Sequence, residues 1–337
     1  MSSKTTIKDI ALETGLSITA ISLVLNNRPN KISESSRRLI LDTAKRLNYR
    51  SNQLAPGSYS RQSKNIGQII PDVSNYFFSK LVQGADSMAY ANKYSLILAT
   101  TNNDPKRELD AIRSLYARGV DGILMTTSMG IDVKEYDALF RSLNVPIVLI
   151  DRVIPALSCS SLTYNHKKGS YLATRHLLGL GHRRIACLTG GSANYASIPE
   201  RTSGYLWAFE EFGVKPPEDG IIVGDYTDKS GYCAADAVVS GRFTAVFCCN
   251  DMMAYGLYKR LRQLNVRIPD DLSVVGFDDV EFSDLIDPPL TTVRQSSYTL
   301  GCEAALRLFM EIKDRTLPNR SIFFEPLLIQ RASTRAL

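Results

Sequence analysis

The stretch at 6–26, TIKDIALETGLSITAISLVLN, has the pattern of two short helices joined by a tight turn. Apolar residues such as Ile7 and Ile10 recur at helical spacing, with polar residues between them. Gly15 follows the first helix, where a residue that accepts positive φ ends a helix at little cost, and Ser17 can cap the second helix. Two helices crossing about a glycine turn form a helix-turn-helix, although the pattern alone also fits an ordinary helical hairpin.

The second of these helices has one face for packing and another for contact. Ile21, Val24 and Leu25 are spaced to pack against the first helix. In a helix-turn-helix the second helix enters the major groove of DNA, so side chains that point away from the first helix are candidates for base contacts. These side chains are Ile18, Thr19, Ser22 and Leu23.

The positive charge of the chain is concentrated around this pair of helices. Residues 1–64 hold 11 Lys and Arg against 4 Asp and Glu, a net charge of +7. The whole chain has 40 Lys and Arg against 34 Asp and Glu, so the remainder has 29 against 30, a net charge of −1. A basic head on a nearly neutral body indicates a polyanionic partner that is bound through release of counterions.

A third helix and a linker complete this basic head. The helix is expected from about Ser35 to Leu47, with Ser33 as its cap. Its predicted packed face consists of Leu39, Ile40, Ala44 and Leu47. Its basic residues, which could contact DNA phosphates, are Arg37, Arg38, Lys45 and Arg46. The polar stretch that follows, with Pro56 and Gly57, has the composition of a linker.

From residue 65 onward the sequence alternates between apolar, strand-like runs and helical stretches. This rhythm predicts parallel sheets with helices on both faces. The predicted strands fall into two sets of four, which indicates two similar lobes. The first set is 66–71, 94–100, 121–126 and 145–151, and the second set is 184–190, 220–225, 244–249 and 272–277.

Polar residues recur directly after the predicted strands of this body. Ligands of parallel α/β folds bind beyond the carboxyl ends of strands, where these residues would lie. The clusters are DVSNYFF at 72–78, Asp151 with Arg152, Asn250 with Asp251, and Asp278 with Asp279. Carboxylates, an amide, an Arg and nearby aromatic rings suit a ligand with many hydroxyls and an apolar face, such as a sugar. Single polar residues at such places are more often helix caps, so the ligand interpretation requires the clusters to converge on one cleft.

Composition excludes several classes of protein. The length of 337 residues and the 44% hydrophobic content are typical of a soluble chain with two or three domains. No apolar run approaches the roughly 18 residues of a membrane helix, and the N-terminus lacks the apolar core of a signal peptide, so we expect a cytoplasmic protein without a membrane partner. The six cysteines contain no C-x-x-C pair and fit buried free thiols.

Signatures of catalysis and of cofactor binding are missing from the sequence. It contains no G-x-x-x-x-G-K-[ST] or G-x-G-x-x-G phosphate loop and no G-x-S-x-G elbow. The three histidines, His166, His176 and His182, have no standard zinc spacing. We therefore expect no enzymatic activity, no catalytic residue, no metal site and no cofactor.

The motifs of the chain, taken in order, resemble those of the LacI/GalR family of bacterial transcription repressors over essentially its full length. TIKDIALETGLSITAISLVLNN is similar to the family's N-terminal signature, and ISESSRRLILDTAKRLNYRSNQLA is similar to its third helix and hinge entry. The body continues with IGQIIPDVSNYFFSKLVQGAD, GVDGILM, PIVLIDR, LLGLGHRRIACLTG, ERTSGY, AVFCCNDMMAYGLYKRLRQLNVRIPDDLSVVGFDD and PPLTTVRQ. Each block alone is weak evidence, but the ordered set is specific.

The resemblance implies an N-terminal three-helix helix-turn-helix DNA-binding domain and an α/β periplasmic-binding-protein-like core of two Rossmann-like lobes. The head would cover 1–50 and the hinge linker 51–64, and the chain would cross between the lobes three times. The N-lobe of the effector-binding core would be 65–165 and 293–323, and the C-lobe 166–292 and 324–337. The resemblance also implies a homodimer, or a tetramer built from dimers, although the C-terminal RASTRAL shows no heptad tail.

Family positions can be carried over to this chain residue by residue. By similarity, the effector cleft would include Phe77, Asp151, Tyr195, Ser197, Arg201, Tyr226, Asn250, Asp278 and Gln295. Arg201 has the greatest weight, because a guanidinium offers a fixed fork to hydroxyls or to a carboxylate, although a surface Arg near a helix start would give the same pattern. The DNA-contacting set would be Thr6, Ser17, Ile18, Thr19, Ser22, Leu23, Asn26, Leu54 and Ser58.

The chain departs from the family pattern at two places that would contact DNA. Leu23 stands where the family usually has Arg, and because Arg reads guanine bidentately while Leu offers only apolar contact, we expect an operator outside the usual pattern. In the hinge, the run from Ala55 to Ser58 replaces the family's A-R-x-L, so Ser58 stands where a Leu would enter the minor groove. Leu54 or Tyr59 could substitute for that wedge, and we expect weaker operator binding than is usual in the family.

These observations predict a ligand-responsive, cytoplasmic transcription regulator, most simply a repressor, that binds double-stranded operator DNA as a homodimer. The expected effector is a sugar such as a pentose, a hexose or a β-glucoside, with a nucleobase or nucleoside as the alternative. Two other interpretations stay open. One is a solute-binding protein of the transport type, against which the basic head and the missing signal peptide argue. The other is a sensor that has lost strong DNA binding.

Overall fold

The structure, a computed structural model, describes residues 6–25, 32–47, 62–191 and 200–337. The chain forms two compact units, Met1–Arg61 and Gln62–Leu337. We refer to the first unit as the head and to the second as the core. None of the described helices has the length and apolarity that crossing a bilayer requires.

The described part of the head consists of the helices α1 (Ile7–Thr14), α2 (Ile18–Leu25) and α3 (Glu34–Arg46). A capping box begins α1, because the Thr6 backbone N–H and hydroxyl donate to Asp9 Oδ2 at 2.6 and 2.8 Å. An acidic residue in the first turn also suits the positive end of the helix dipole. Local chemistry therefore fixes where the helix-turn-helix starts.

The turn and the other helix starts of the head follow the same local rules. Gly15 ends α1 with a φ of 69°, in the left-handed region that glycine adopts without strain. Ser17 accepts a hydrogen bond from the Ala20 backbone N–H at 3.2 Å and so caps α2. Ser33 accepts one from the Ser36 backbone N–H at 3.2 Å and caps α3. The sequence pattern had placed a glycine and two serines in these roles.

One apolar cluster holds the three helices of the head together. Ile10, Ile21 and Ile40 are fully buried in it. The predicted packed face of α3 is wrong at Leu39, whose side chain is 49% exposed, while Thr43 is only 4% exposed. The buried residues Ile40, Thr43 and Ala44 share one helix face, and Leu39 lies at the edge of that face, about 90° from its centre.

The core alternates strands with helices along the chain. Its first part contains β1 (Asn65–Ile70), α4 (Tyr76–Ala91), β2 (Ser95–Thr100), α5 (Pro105–Ala117), β3 (Gly122–Met125), α6 (Val133–Ser142), β4 (Ile147–Ile150) and β5 (Ser160–Tyr164). Its second part contains α7 (His166–Gly179), β6 (Ile185–Gly190), α8 (Glu200–Glu211), β7 (Ile221–Gly224), α9 (Asp228–Ser240), β8 (Ala245–Cys248), α10 (Asp251–Gln263), β9 (Ser273–Asp278), a 3-10 turn (Glu281–Asp284) and β10 (Thr291–Arg294). Its last part contains α11 (Ser297–Lys313), β11 (Ser321–Phe324) and β12 (Leu327–Ile329).

Two sheets of six strands each form the two lobes of the core. The strand order is β2-β1-β3-β4-β5-β11 in the first sheet and β7-β6-β8-β9-β10-β12 in the second. Neighbouring strands are parallel throughout, except that β12 runs antiparallel to β10. The lobes therefore share one strand order, and each is completed by a strand from the end of the chain.

Helices cover the first sheet on both faces, as the alternation of strands and helices predicted. Phe78 of α4 and Leu300 of α11 lie in one apolar cluster, and Leu109 of α5 and Tyr136 of α6 lie in another. Strands buried from both sides read as continuous apolar runs, which is why the central strands were visible in the sequence.

The predicted strand runs correspond to β1–β4 and β6–β9, and the prediction missed β5, β10, β11 and β12. The strands β5 (SSLTY) and β10 (TTVR) are rich in hydroxyl residues that are nevertheless buried, such as Ser160 and Thr291. The other two, β11 and β12, are short edge strands at the end of the chain. Hydroxyl residues interrupt β5 and β10, and the apolar runs of β11 and β12 are only three residues long.

The polypeptide passes between the two sheets three times, after β5, after β10 and after β11. Three residues belong to a different lobe from the one that the sequence boundaries assigned to them. Val293 and Arg294 belong to β10 of the second sheet, and Phe324 belongs to β11 of the first. In each case the ladder of strand pairing continues past the boundary placed from the sequence.

Candidate functional site

A cavity of about 260 Å³ lies beyond the carboxyl ends of strands from both sheets of the core. Asp151 follows β4 of the first sheet, and Asn250 and Asp278 lie at the ends of β8 and β9 of the second. The φ values of Asp151 and Asp278 are positive, 65° and 121°, so the backbone leaves each strand abruptly. The parallel topology thus brings strand-end residues from distant parts of the chain together.

The cavity wall contains every predicted effector residue that the structure describes. These residues are Phe77, Asp151, Arg201, Tyr226, Asn250, Asp278 and Gln295. The wall also contains Asn75, Phe78, Arg152, Val153, Thr163, His166 and Glu200, which the sequence analysis did not assign to the effector. Tyr195 and Ser197 lie outside the described residues. The strand-end clusters therefore converge, which the ligand interpretation required.

Five of the seven unassigned residues of the wall fall into two groups. Asn75, Phe78 and Arg152 lie inside strand-end clusters that the sequence had already singled out. Thr163 and His166 lie at the end of β5 and the start of α7, and the sequence pattern had missed β5. The first group would have been predicted if every residue of each strand-end cluster had been assigned to the effector site. No local sequence signal marks the second group.

Arg201 is the central cation of the cavity wall, and 12% of its side chain is exposed. Its guanidinium donates to the Cys249 carbonyl, and it lies 3.7 Å from Asp278 Oδ1 and 3.3 Å from His166 Nδ1. The guanidinium carbon also lies 4.0 Å from the centroid of the Phe277 ring. A guanidinium keeps its proton even in such surroundings, so Arg201 offers a fixed positive group to a ligand.

Asp151 is buried beside two guanidinium groups and an imidazole. Its Oδ1 atom lies 3.4 Å from His166 Nε2, and among the described residues it has no hydrogen-bond partner. Burial by itself raises the pKa of Asp151, but His166, Arg201 and Arg152 together hold that pKa below its ordinary value. Asp151 is therefore ionised at neutral pH and can accept a hydrogen bond from a ligand hydroxyl.

The pKa of Asp278 is shifted in the opposite direction to that of Asp151. Burial raises the pKa of Asp278 well above its ordinary value, Arg201 offsets part of that shift, and Asp251 and Asp151 add to it. Its Oδ1 atom accepts a hydrogen bond from Gln295 Nε2 at 2.6 Å. A carboxyl group that retains its proton can donate a hydrogen bond as well as accept one.

Other strand-end residues also hold the core together. Asn250 caps α10, because its Oδ1 atom accepts from the Met253 backbone N–H at 2.9 Å, and its Nδ2 atom donates to the Tyr226 carbonyl at 2.9 Å. Asp251 is fully buried and accepts hydrogen bonds from three groups of the second lobe. Asp279 pairs with two arginines at 2.6 and 2.7 Å. These two aspartates are structural, as the helix-cap alternative allowed.

Aromatic rings form the apolar part of the wall. Phe77 and Phe78 are buried and meet edge to face, with centroids 5.4 Å apart. The Arg152 guanidinium lies 5.7 Å from the Phe78 centroid and donates to Asn103 Oδ1 at 2.5 Å. Burial raises the pKa of Tyr226 to about 12, so its hydroxyl keeps its proton at neutral pH. Rings beside carboxyl, amide and guanidinium groups suit a compact ligand with many hydroxyls.

The histidines of the core bond to protein groups. Within the described parts of the chain, no cluster of three or more His, Cys, Asp or Glu could hold a metal ion. His176 lies 3.0 Å from Thr334 Oγ1, and His182 lies 3.0 Å from Thr244 Oγ1. Among the three, His166 is the histidine in the cavity wall.

The predicted DNA-contacting residues differ in how far they are exposed. The exposed ones are Thr6, Ser17, Ile18 and Thr19, and the half-buried ones are Ser22 and Leu23. Ile18, at the start of α2, is 46% exposed. An apolar side chain that is accessible on a recognition helix can contact a thymine methyl. The other predicted positions, Asn26, Leu54 and Ser58, lie outside the described residues, as do Pro56 and Gly57 of the hinge.

Known protein families match both units of the chain. Residues 6–52 match the family described as bacterial regulatory proteins, lacI family. Residues 174–334 match the periplasmic binding protein-like domain. The first match covers the helix-turn-helix, and the second covers most of the second lobe and the end of the chain.

Individual proteins resemble the chain over most of its length. The HTH-type transcriptional repressor PurR of Vibrio atlanticus (strain LGP32) is 34% identical over 336 residues, which are 98% of this chain and 99% of the relative. The structure of a LacI family transcriptional regulator from Enterococcus faecium with bound ribose has a TM-score of 0.74 and 27% identity, covering 81% of this chain and 99% of that one. The structure of the lac repressor dimer bound to operator and the anti-inducer ONPF has a TM-score of 0.73 and 26% identity, covering 99% of this chain and 100% of that one.

These matches agree with the architecture that the sequence predicted. The fold is confirmed as a helix-turn-helix head joined to a periplasmic-binding-protein-like core with two parallel-sheet lobes. The full-length similarity to a named repressor excludes a chance match of either unit alone. The chain belongs to the LacI family of bacterial transcription regulators.

Proposed function

We propose that the chain is a transcription regulator, most simply a repressor, whose affinity for operator DNA is set by a small molecule in the cavity. The observation that carries this proposal is the convergence of Arg201, Asp151 and Asp278 on one cavity, in a chain with a helix-turn-helix head. Relatives such as PurR are named transcriptional repressors, which supports the same function. We also infer that the protein is cytoplasmic, where its DNA is, and that it is not an enzyme.

The effector is proposed to be a sugar or a sugar derivative. Asp151 offers an ionised acceptor, Arg201 offers donors, and Phe77 and Tyr226 offer ring surfaces in the same wall. A structural relative was solved with bound ribose. D-Ribose is therefore the first probe, followed by D-glucose, by the β-glucoside cellobiose and by adenosine as the nucleoside alternative.

The DNA-binding form is proposed to be a homodimer. Two heads related by a twofold axis can occupy the two half-sites of a near-palindromic operator together. The lac repressor, which is similar to this chain, was solved as a dimer bound to operator. A tetramer built from such dimers is the alternative assembly.

The cavity can control DNA binding because both lobes contribute to its wall. A ligand shifts a conformational equilibrium only as far as its affinities for the two states differ. A shift from mostly DNA-bound to mostly free requires about 5.5 kcal/mol of differential binding. The coupling is reciprocal, so operator DNA must change the affinity for the effector by the same factor.

Selection of binding sites from random double-stranded DNA tests the DNA-binding part of this proposal. We expect a near-palindromic site whose affinity falls steeply between roughly 50 and 200 mM salt, because the basic head releases counterions. Leu23→Arg is expected to change the preferred base within each half-site, since Arg reads guanine bidentately. Leu12→Arg is the matched control, because it adds the same charge at an 88% exposed position of α1 and should leave the preferred site unchanged.

The site-selection experiment distinguishes three ways in which the DNA-binding proposal could be wrong. If no site is selected at any salt concentration, the regulator proposal is wrong and the core remains as a ligand sensor. If Leu23→Arg and the wild type select the same site, Leu23 does not take part in base recognition. If Leu12→Arg also changes the site, the added charge acts without regard to the recognition helix.

A further inference from the structure

His166 contacts both lobes at the cavity. It is the first residue of α7, directly after the first passage of the chain between the sheets, and 12% of its side chain is exposed. Its Nδ1 atom lies 3.3 Å from Arg201 Nη2. Its Nε2 atom lies 3.2 Å from Thr163 Oγ1 and 3.4 Å from Asp151 Oδ1. Thr163 and Asp151 belong to the first lobe, whereas Arg201 belongs to α8 of the second.

The partners of this imidazole allow one arrangement of its protons. A guanidinium is a donor only, so His166 Nδ1 must accept from Arg201 and carries no proton. The Thr163 hydroxyl donates to the Asp151 carbonyl at 2.7 Å, which leaves the Thr163 oxygen as an acceptor. The ring proton therefore lies on Nε2, facing two acceptors, Thr163 Oγ1 and the Asp151 carboxylate. The neutral Nε2–H tautomer therefore accepts from Arg201 on one side and donates towards Thr163 on the other.

We propose that His166, as a neutral Nε2–H imidazole, is the positioning residue of the effector site and holds Arg201 of the second lobe against Asp151 of the first. This inference rests on the proposed function and adds a residue that tunes the same site. Arg201 also donates to the Cys249 carbonyl and lies 3.7 Å from Asp278 Oδ1, and both of these contacts lie within the second lobe. The imidazole is thus the hydrogen-bonded link between the guanidinium and the first lobe.

A second proton on His166 breaks this arrangement. Its Nδ1–H would face an Arg201 N–H, donor against donor, and two positive charges would be adjacent. The charged and titratable groups of the surrounding wall are Asp151, Arg152, Glu200, Arg201, Tyr226 and Asp278. A doubly protonated ring would therefore not hold Arg201 against Asp151.

Nitrogen NMR of the full-length protein, labelled in histidine, tests the tautomer directly. The chain contains three histidines, and the spectrum of His166→Gln identifies the His166 signals by their loss. We expect the Nε2–H tautomer at neutral pH, and a shift of the Nδ1 signal in Arg201→Lys, which alters the donor on that atom. The Nδ1–H tautomer or a doubly protonated ring at neutral pH would overturn the proposal, whether or not a sugar binds.

Calorimetric titration with D-ribose, D-glucose, cellobiose and adenosine tests the effect on the site. His166→Phe keeps a flat ring without hydrogen bonds, and we expect it to weaken probe binding at least about ten-fold. His166→Gln keeps a donor and an acceptor, so it should recover most of the affinity. His176→Gln is the matched control, because His176 lies against Thr334, outside the cavity wall.

The titrations can contradict the positioning role of His166 or the identity of the effector. If wild type and His166→Phe bind a probe equally well, His166 does not position the site. Thermal unfolding and circular dichroism of each variant distinguish a loss of binding from a loss of folding. If the wild type binds none of the four probes, the effector part of the proposed function fails, and the NMR result alone decides the role of His166.

Discussion

The two lobes of the core place an aspartate at the same point of the same fold. Asp151 follows β4 of the first lobe and Asp278 ends β9 of the second, and each strand is the fourth of its lobe, at the same place in the strand order. Both residues have positive φ and both line the cavity. Yet the pKa of Asp151 lies below the ordinary value and the pKa of Asp278 lies well above it.

The difference arises from the neighbours of each carboxyl group. Burial raises both pKa values, but His166, Arg201 and Arg152 surround Asp151 and reverse the shift. Asp278 has Arg201 at 3.7 Å, and further aspartates raise its pKa. The repeated fold therefore fixes the positions, and side chains from other segments fix the charge. One lobe offers an ionised acceptor, and the other offers a carboxyl group whose pKa is raised, so that its protonated form is favoured.

The largest effect is expected from Arg201→Gln, which removes the cation shared by the two carboxyl groups. The variant loses charge-assisted hydrogen bonds, so binding of a probe sugar that the wild type binds should weaken at least about 100-fold in calorimetric titration. Arg184→Gln serves as the control, because Arg184 pairs with Asp219 at 2.6 Å on the surface of the core. Unchanged binding by Arg201→Gln would place the effector elsewhere.

The comparison between the lobes predicts that the two aspartates respond differently to neutralisation. Asp151→Asn leaves buried guanidinium groups without their anion and should lower the free energy of unfolding by about 2–4 kcal/mol at neutral pH. Asp278→Asn resembles the protonated acid that the site already favours, so its cost should stay below about 1 kcal/mol. Urea denaturation measures both values. A larger loss for Asp278→Asn would reverse the assigned charge states.

The same difference predicts opposite dependence on pH. Because the folded-state pKa of Asp278 is raised, the folded protein binds this proton more tightly, so wild type gains stability relative to Asp278→Asn as the pH falls from neutral. Because the folded-state pKa of Asp151 is lowered, the stability it contributes is lost only as the pH falls below its ordinary value of 3.8. Urea denaturation of wild type and of each Asn variant, from neutral pH to below 3.8, measures the stability that each aspartate contributes. This contribution should rise for Asp278 and fall for Asp151 as the pH is lowered. A change of the same sign for both aspartates would contradict the assigned charge states.

The smallest effect is expected at an exposed contact between the lobes. Tyr76 and Lys80 of α4 bond to Glu281 of the second lobe, Tyr76 through its hydroxyl and Lys80 at 2.9 Å. Exposed ion pairs are weak and screened by salt, so Glu281→Gln should change probe affinity no more than about three-fold, and less at high salt. Calorimetric titration at two salt concentrations measures it. A change in affinity as large as that of Arg201→Gln would mean that this contact between the lobes, rather than the cavity wall, determines probe affinity.

The sequence predicts those parts of the fold that local signals determine. The turn of the helix-turn-helix and the start of its second helix follow from Gly15 and Ser17, and the central strands follow from continuous apolar runs. The strands β5 and β10 escaped prediction because their buried hydroxyls bond to distant partners. The Ser160 hydroxyl donates to Glu311 at 2.5 Å, and the hydroxyl of Thr292 donates to Asp251 at 2.7 Å. Such pairs leave no pattern in a local window.

The site was predictable in position but not in charge. Strand ends and the family resemblance located Arg201, Asp151 and Asp278, which the structure brings together in one cavity wall. His166 was missed because its importance depends on Arg201, 35 residues further along the chain. The opposite protonation of the two aspartates depends likewise on burial and on groups from other segments, which only the folded structure specifies.

The central claim is that the cavity controls DNA binding, and the most direct test measures both in one titration. Full-length wild type and Arg201→Gln are titrated onto fluorescent operator DNA, with and without the sugar that binds the wild type. The account predicts equal DNA affinity without sugar, a clear change with sugar for the wild type, and no change for Arg201→Gln. If the sugar binds the wild type but leaves its DNA affinity unaltered, or alters both proteins equally, the cavity does not control the head.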